Sequence, residues 1–166
     1  EMSHSSLLAW LFTPSANHGL GAQPLVQLME LYLKCYRDEH KTSLPEELQS
    51  AILTRSVNII SANATTEEYV STSKAKGRVD ILIQCDVYIP DSTISRLRVV
   101  IENKVYSNEH DGQTQTYFEH YERLKAEDGK EQCMYIYLTP PSIETPADCE
   151  AFVHITYQDL LDHVLE

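Results

Sequence analysis

The order of residue patterns along the chain predicts an α/β fold, a mixed four-stranded sheet flanked by helices. Three observations carry this reading. Helical spacing dominates the opening part, three strand-like runs then follow in succession, and a helical stretch separates them from a fourth strand and a last helix. Consecutive strands pair through tight turns, whereas a strand reached across a helix pairs in parallel.

Residues 5–12, SSLLAWLF, read as a short helix with Ser3 or Ser5 as cap. The Pro, Asn and Gly of TPSANHGLG, 13–21, mark a loop. A second helix is expected over 22–37, with Leu25, Leu28, Met29, Tyr32 and Leu33 on one face and Pro24 in its first turn. SLPE, 43–46, starts a third helix that runs toward Leu53. Glu68 to Thr72 reads as a strand, and KAKG, 74–77, as a hairpin turn. Arg78 to Tyr88 and Leu97 to Lys104 are the next two strands, separated by a turn over 90–95. A helix is expected from Asp111 to Glu127, stopped near Gly129. CMYIYL, 133–138, is a strand ended by Pro140 and Pro141, and 157–165 is an amphipathic helix. The chain therefore reads as a single domain over 1–166. Its parts are a mainly helical 1–65, a sheet core with its following helix over 66–139, and a C-terminal loop and helix over 140–166 that reads as truncated.

Composition narrows the function classes. The 166 residues are 42% hydrophobic and 23% charged, ordinary values for a folded domain with its own core. Acidic residues outnumber basic ones, 25 to 13, for a net charge of −12. Coating of nucleic acid or anionic membrane by bulk charge is thereby disfavoured, although a small basic site is not. No apolar run reaches the ~18 residues of a membrane span, and no charged and apolar leader opens the chain, so no membrane partner is expected. Cys35, Cys85, Cys133 and Cys149 form no CxxC pair and no zinc spacing. They read as free thiols of a cytoplasmic protein. A homo-oligomer is compatible with these features.

The chemistry concentrates between Gly77 and Tyr121. On a strand, residues two apart face the same side, so Glu102 and Lys104 of I-E-N-K point together, away from Ile101 and Asn103. Asp80 of R-V-D-I-L-I lies in the preceding strand. A hairpin of the two strands sets Asp80 beside Glu102. Paired carboxylates are oxygen ligands suited to Mg²⁺ or Mn²⁺, with the backbone carbonyl of Asn103 as a further ligand. Such a metal polarises a phosphate oxygen and acidifies water, and a nearby ammonium stabilises developing negative charge.

Asp80 followed by Glu102-Asn103-Lys104 resembles the D…ExK motif of the PD-(D/E)XK nuclease superfamily. Gln113 and Tyr117 in Q-T-Q-T-Y are similar to the QxxxY element of one branch, and the opening S-H-S-S-L-L-A-W-L-F-T-P with His18-Gly19-Leu20-Gly21 resembles bacterial members. The resemblance implies a restriction-endonuclease-like αβββαβ core. It also implies that Asp80 and Glu102 are metal ligands and Lys104 the catalytic lysine. Gln113, Tyr117, Arg78 and His4 would shape the site or contact substrate. Many members add a Glu from the first helix, for which Glu1 is the candidate by position. The usual PD dipeptide is Val79-Asp80 here.

Each feature has a plainer reading. ExK is a common tripeptide and can be a solvated ion pair of little energetic consequence. The apolar V-V-I before it argues for a buried strand, where unpaired charge is expensive. Gln113 and Tyr117, on one helical stripe with Glu109 and Tyr121, can equally be packing residues. Ser3, His4 and His18 can approach the site or serve as local caps. A serine hydrolase is disfavoured by the lack of a G-x-S-x-G elbow. Lys74, Lys76, Arg78, Arg96, Arg98 and Lys104 are the cations near the site. The combined reading is a Mg²⁺- or Mn²⁺-dependent nuclease acting on nucleic acid, with DNA as substrate. The alternative is an inactive nuclease-like module that binds nucleic acid or a protein partner, for example within a defence system.

Overall fold

A computed structural model describes residues 2–105 and 112–165. Helix α1 (Met2–Leu11) opens the chain, followed by α2 (Gln23–Asp38) and α3 (Glu46–Leu53). The strands β1 (Asn58–Ser71), β2 (Lys76–Tyr88) and β3 (Arg96–Asn103) come next, then α4 (Gln113–Glu127), β4 (Glu131–Thr139), β5 (Val153–Thr156) and α5 (Tyr157–Val164).

The sheet has five strands in sequence order, β1-β2-β3-β4-β5, one more than expected. Strands β1, β2 and β3 are antiparallel neighbours, and β4 and β5 continue the sheet in parallel. Two crossovers make the parallel pairs possible, α4 between β3 and β4 and residues 140–152 between β4 and β5. The extra strand, VHIT, lies where only loop and helix were expected. Four residues with two buried apolar positions are too short to declare a strand alone, and its pairing with β4 creates it.

Alternation sorts the side chains onto two faces. Ile81, Ile83, Cys85, Val99, Ile101, Met134, Ile136 and Leu138 join one core with Phe12 of the turn after α1, Leu25 and Leu33 of α2 and Leu48 of α3. Leu82, Val100, Tyr135 and Tyr137 join a second core beneath Tyr117 and Tyr121 of α4, closed by Ala147, Cys149 and Phe152. The result is a sheet between two helical layers. Tyr135 and Tyr137 are sheet packing, as their alternation with Met134, Ile136 and Leu138 implies.

Other boundaries also differ from expectation. Ser3 and Ser5 lie inside α1 rather than capping it. Strand β1 starts at Asn58, ten residues before the expected Glu68, so the sheet begins within the part expected to be helical. Its first half, rich in Asn, Ala and Ser, is a poor strand former held by pairing to β2. The hairpin turn occupies 72–75, where the Thr72 N–H donates to the Ala75 carbonyl at 2.8 Å. Asp111, the expected start of the long helix, lies outside the described residues. Among those residues the four cysteines are free, and no helix is long and apolar enough to cross a membrane.

Candidate active site at the end of strands β2 and β3

The pairing Ile81↔Ile101 runs on toward Asp80 and Glu102, which brings the two carboxyl groups together as the hairpin geometry requires. Asp80 Oδ2 accepts from the Asn103 N–H at 2.8 Å, a bond that ties β2 to the end of β3. An extended residue directs its N–H and C=O to the same side, so the Asn103 carbonyl also faces the Asp80 side. The next amide, of Lys104, turns the other way and donates to Leu138 of β4 at 2.8 Å.

Glu102 is 1% exposed and Lys104 5%. The Lys104 ammonium lies 3.2 Å from Glu102 Oε1 and donates to Gln113 Oε1 at 3.0 Å. The ammonium therefore pairs with a buried carboxyl that a second, half-buried carboxyl adjoins. Burial, then the neighbouring Asp80 charge, push the Glu102 carboxyl up to about 8, against the pull of Lys104. Among the described residues, Glu102 Oε2 is buried with no hydrogen-bond donor. The two carboxyls touch, yet both are acceptors when ionised, so their contact becomes a hydrogen bond only when one holds a proton. A proton, the neighbouring Tyr117 hydroxyl or a cation can satisfy that oxygen.

Metal ligation fits this donor set. Asp80, Glu102 and the Asn103 carbonyl are hard oxygen donors, the orphaned Oε2 is one of them, and Mg²⁺ commonly takes one or two carboxylates and completes its shell with water. No group of three or more His, Cys, Asp or Glu side chains capable of holding a metal occurs among the described residues.

Helix α4 closes the site. Gln113 is its first residue, preceded by Gly112 at φ +69°, a left-handed conformation that favours glycine. One turn on, Tyr117 is fully buried and its hydroxyl donates to the Arg78 carbonyl at 2.7 Å. Gly77 sits under that ring. A Cβ there would lie 3.0 Å from Tyr117 Cε1, so the glycine of G-R-x-D permits a close approach of β2 to α4. Tyr117 thus packs in the core and also fixes the backbone two residues before Asp80. Burial, then the Glu102 charge, raise its hydroxyl well above the usual tyrosine range.

The remaining expected residues separate. His4 is exposed and its ring lies edge-on to Tyr157, 6.5 Å between centroids, instead of joining the carboxylates. His18 is occupied within its own loop. It contacts the Thr13 carbonyl, accepts from the Leu20 N–H and packs on Trp10. Arg78 is exposed beside the site. Arg98 is buried and paired with Glu131, and Arg96 pairs with Asp86 and Asp128, so neither is a cation held in reserve for a phosphate. Glu1 and Glu109 lie outside the described residues.

Sequence reasoning missed the support on the opposite face. The Asn103 side chain is completely buried, donating to Ser5 Oγ at 3.2 Å and accepting from the Tyr157 hydroxyl. Helices α1 and α5 thereby clamp the end of β3 from behind. The signal was a lone amide in the apolar positions of I-E-N-K, facing the core side beside Ile101.

No curated protein and no solved structure matches the chain. A family model described as the PD-(D/E)XK nuclease superfamily matches residues 1–166. With a match over the whole chain, this protein belongs to the PD-(D/E)XK nuclease superfamily.

Proposed function

We propose that the protein is a Mg²⁺- or Mn²⁺-dependent nuclease that hydrolyses phosphodiester bonds of DNA. The observation that carries this reading is the convergence of Asp80 on the buried Glu102–Lys104 pair at the ends of β2 and β3. DNA as the substrate is an analogy with the family and has no residue of this chain behind it. Gln113 and Tyr117 support placement in the QxxxY branch.

Asp80, Glu102 and the Asn103 carbonyl would hold the metal. When bound, it would polarise the scissile phosphate and acidify water. Asp80 also positions the Asn103 backbone through the 2.8 Å bond from its amide. Lys104, held between Glu102 and Gln113, presents a positive charge to the phosphoryl oxygens as they become more negative. Gln113 orients that ammonium. Tyr117 holds the strand that carries Asp80.

The test is cleavage of plasmid and oligonucleotide DNA with Mg²⁺ or Mn²⁺, with chelator, and by Asp80→Asn. Cleavage that stops in chelator, with turnover at least ~100-fold lower in Asp80→Asn, supports the reading. Undiminished cleavage by folded Asp80→Asn free of contaminating nuclease overturns the assignment. A folded, metal-binding wild type that cuts no nucleic acid would favour the inactive binding module.

A further inference from the structure

The chain carries almost twice as many acids as bases, yet residues 69–79 hold three cations and no acid. This segment is the tip of the β1–β2 hairpin. Tyr69 pairs with Arg78 and Ser71 with Lys76, so these side chains share one face. The other face carries Val70, Gly77 and Val79 beneath α4. Tyr69 is 57% exposed, and Lys74, Lys76 and Arg78 are all exposed. Among the described residues none of these three cations forms an ion pair, and neither do Lys34, Arg37, Arg123 and Lys130, so the tip is distinguished by having three such cations together.

The platform is rigid and continues along the strand that carries Asp80. The Tyr117 hydroxyl holds the Arg78 carbonyl, and His120 Nδ1 contacts the Ser71 carbonyl at 2.9 Å. At ~3.3 Å per residue, Lys76 lies ~13 Å along β2 from Asp80. Glu67, exposed opposite Asp80, bounds the patch on the catalytic side.

We infer that this hairpin face grips an unpaired stretch of the DNA substrate, with Lys74, Lys76 and Arg78 on phosphates and Tyr69 stacked on a base. This inference rests on the nuclease reading and names its substrate class. Two magnitudes select an unpaired strand over a duplex. Tight duplex binders make roughly 6–10 phosphate contacts, and three cations on an acidic chain fall short. An exposed ring gains a stacking partner only from a base that is not already stacked in a helix.

The experiment is fluorescence anisotropy in chelator, with a labelled single strand and the corresponding duplex. Wild type should prefer the single strand. Tyr69→Ala should weaken that binding roughly 5- to 100-fold, Tyr69→Phe should retain it, and duplex binding should change less than about twofold. Lys76→Gln with Arg78→Gln should flatten the salt dependence by about 1.4 in log–log slope. With metal present, Tyr69→Ala should raise KM and leave kcat unchanged. Equal loss for both DNA forms, equal loss in the Phe variant, or no binding by wild type overturns the platform. Because binding is read without metal, the two readings fail separately. Cleavage with ring-independent binding sinks the platform alone, and ring-dependent binding without cleavage sinks the nuclease alone.

Discussion

Strand β3 presents two buried cations to the same side of the sheet, Arg98 near its start and Lys104 just past its end, and each meets a glutamate. The surroundings differ. Arg98 pairs with Glu131 of β4, and its guanidinium lies 5.1 Å from the centre of the Tyr121 ring. One cation faces one carboxylate, and the second contact is an aromatic face that favours positive charge. Burial still raises the Glu131 carboxyl, with Arg98 opposing it. At the other end, Lys104 pairs with Glu102, and Asp80 lies close enough to raise the Glu102 carboxyl further. Six residues apart, one carboxylate meets one cation in the first cluster, and among the described residues two carboxyls gather by one ammonium in the second. A buried carboxyl held beside a second one destabilises the fold, so its retention points to chemistry that a lone pair does not perform.

The comparison breaks most sharply on turnover. Lys104→Met should lower DNA cleavage on the order of 100-fold or more while the protein remains folded, because it removes charge aimed at the reacting phosphate. Arg98→Ala, measured per folded molecule, should leave turnover within about threefold. Similar losses from both would erase the distinction between a catalytic and a structural pair.

Stability should sort the two clusters in the opposite sense. Arg98→Ala strands Glu131 in the core and should cost ~3–5 kcal/mol in denaturant unfolding. Replacing both partners, Arg98→Met with Glu131→Leu, should recover most of that loss. A double variant as unstable as the single one would show that the pair contributes net stability.

The pH dependence sharpens the charge argument. The Glu102 carboxyl rises from the unfolded range near 4.5 to about 8 on folding. Between those values the native state binds a proton that the unfolded state releases, so this group's contribution is full below 4.5 and is lost as pH rises through about 8. Glu102→Gln lacks that slope. Its stability relative to wild type should improve by up to ~1.4 kcal/mol per pH unit across the window. A pH-independent difference would mean that the carboxyl pair carries no extra proton. The same proton competes with metal, so apparent Mn²⁺ affinity of the wild type, read by calorimetry, should rise up to about tenfold per unit and level off above about pH 8.

The smallest effect tests the link between α4 and β2. Tyr117→Phe keeps the buried ring and removes the hydroxyl that donates to Arg78. It should cost ~0.5–1.5 kcal/mol and lower turnover only modestly. Tyr117→Ala should cost ~3–5 kcal/mol. If the Phe variant loses stability on the Ala scale, the hydroxyl rather than the ring is what anchors β2 at the site.

Local sequence alone determined the element types around the site. Alternation in β2 and β3, helical spacing in α2 and α4, and the fixed two-residue period that sets Glu102 and Lys104 on one side are all short-range properties. They follow from backbone geometry and need no neighbour. Whether two carboxylates meet was conditional on register, and register belongs to the pair of strands. The tertiary structure decided the rest for the same reason. VHIT becomes β5 only against β4, and the Asn- and Ala-rich start of β1 extends only against β2. Arg98 and Lys104 are both basic and share the parity of one strand, the first within β3 and the second just past its end. They part company because Glu131 and Tyr121 arrive at one end of β3 from β4 and α4, while Asp80 and Gln113 arrive at the other from β2 and the start of α4. The balance of buried charge depends on what the fold brings to each side chain, and residues more than twenty positions away in the chain supply much of it.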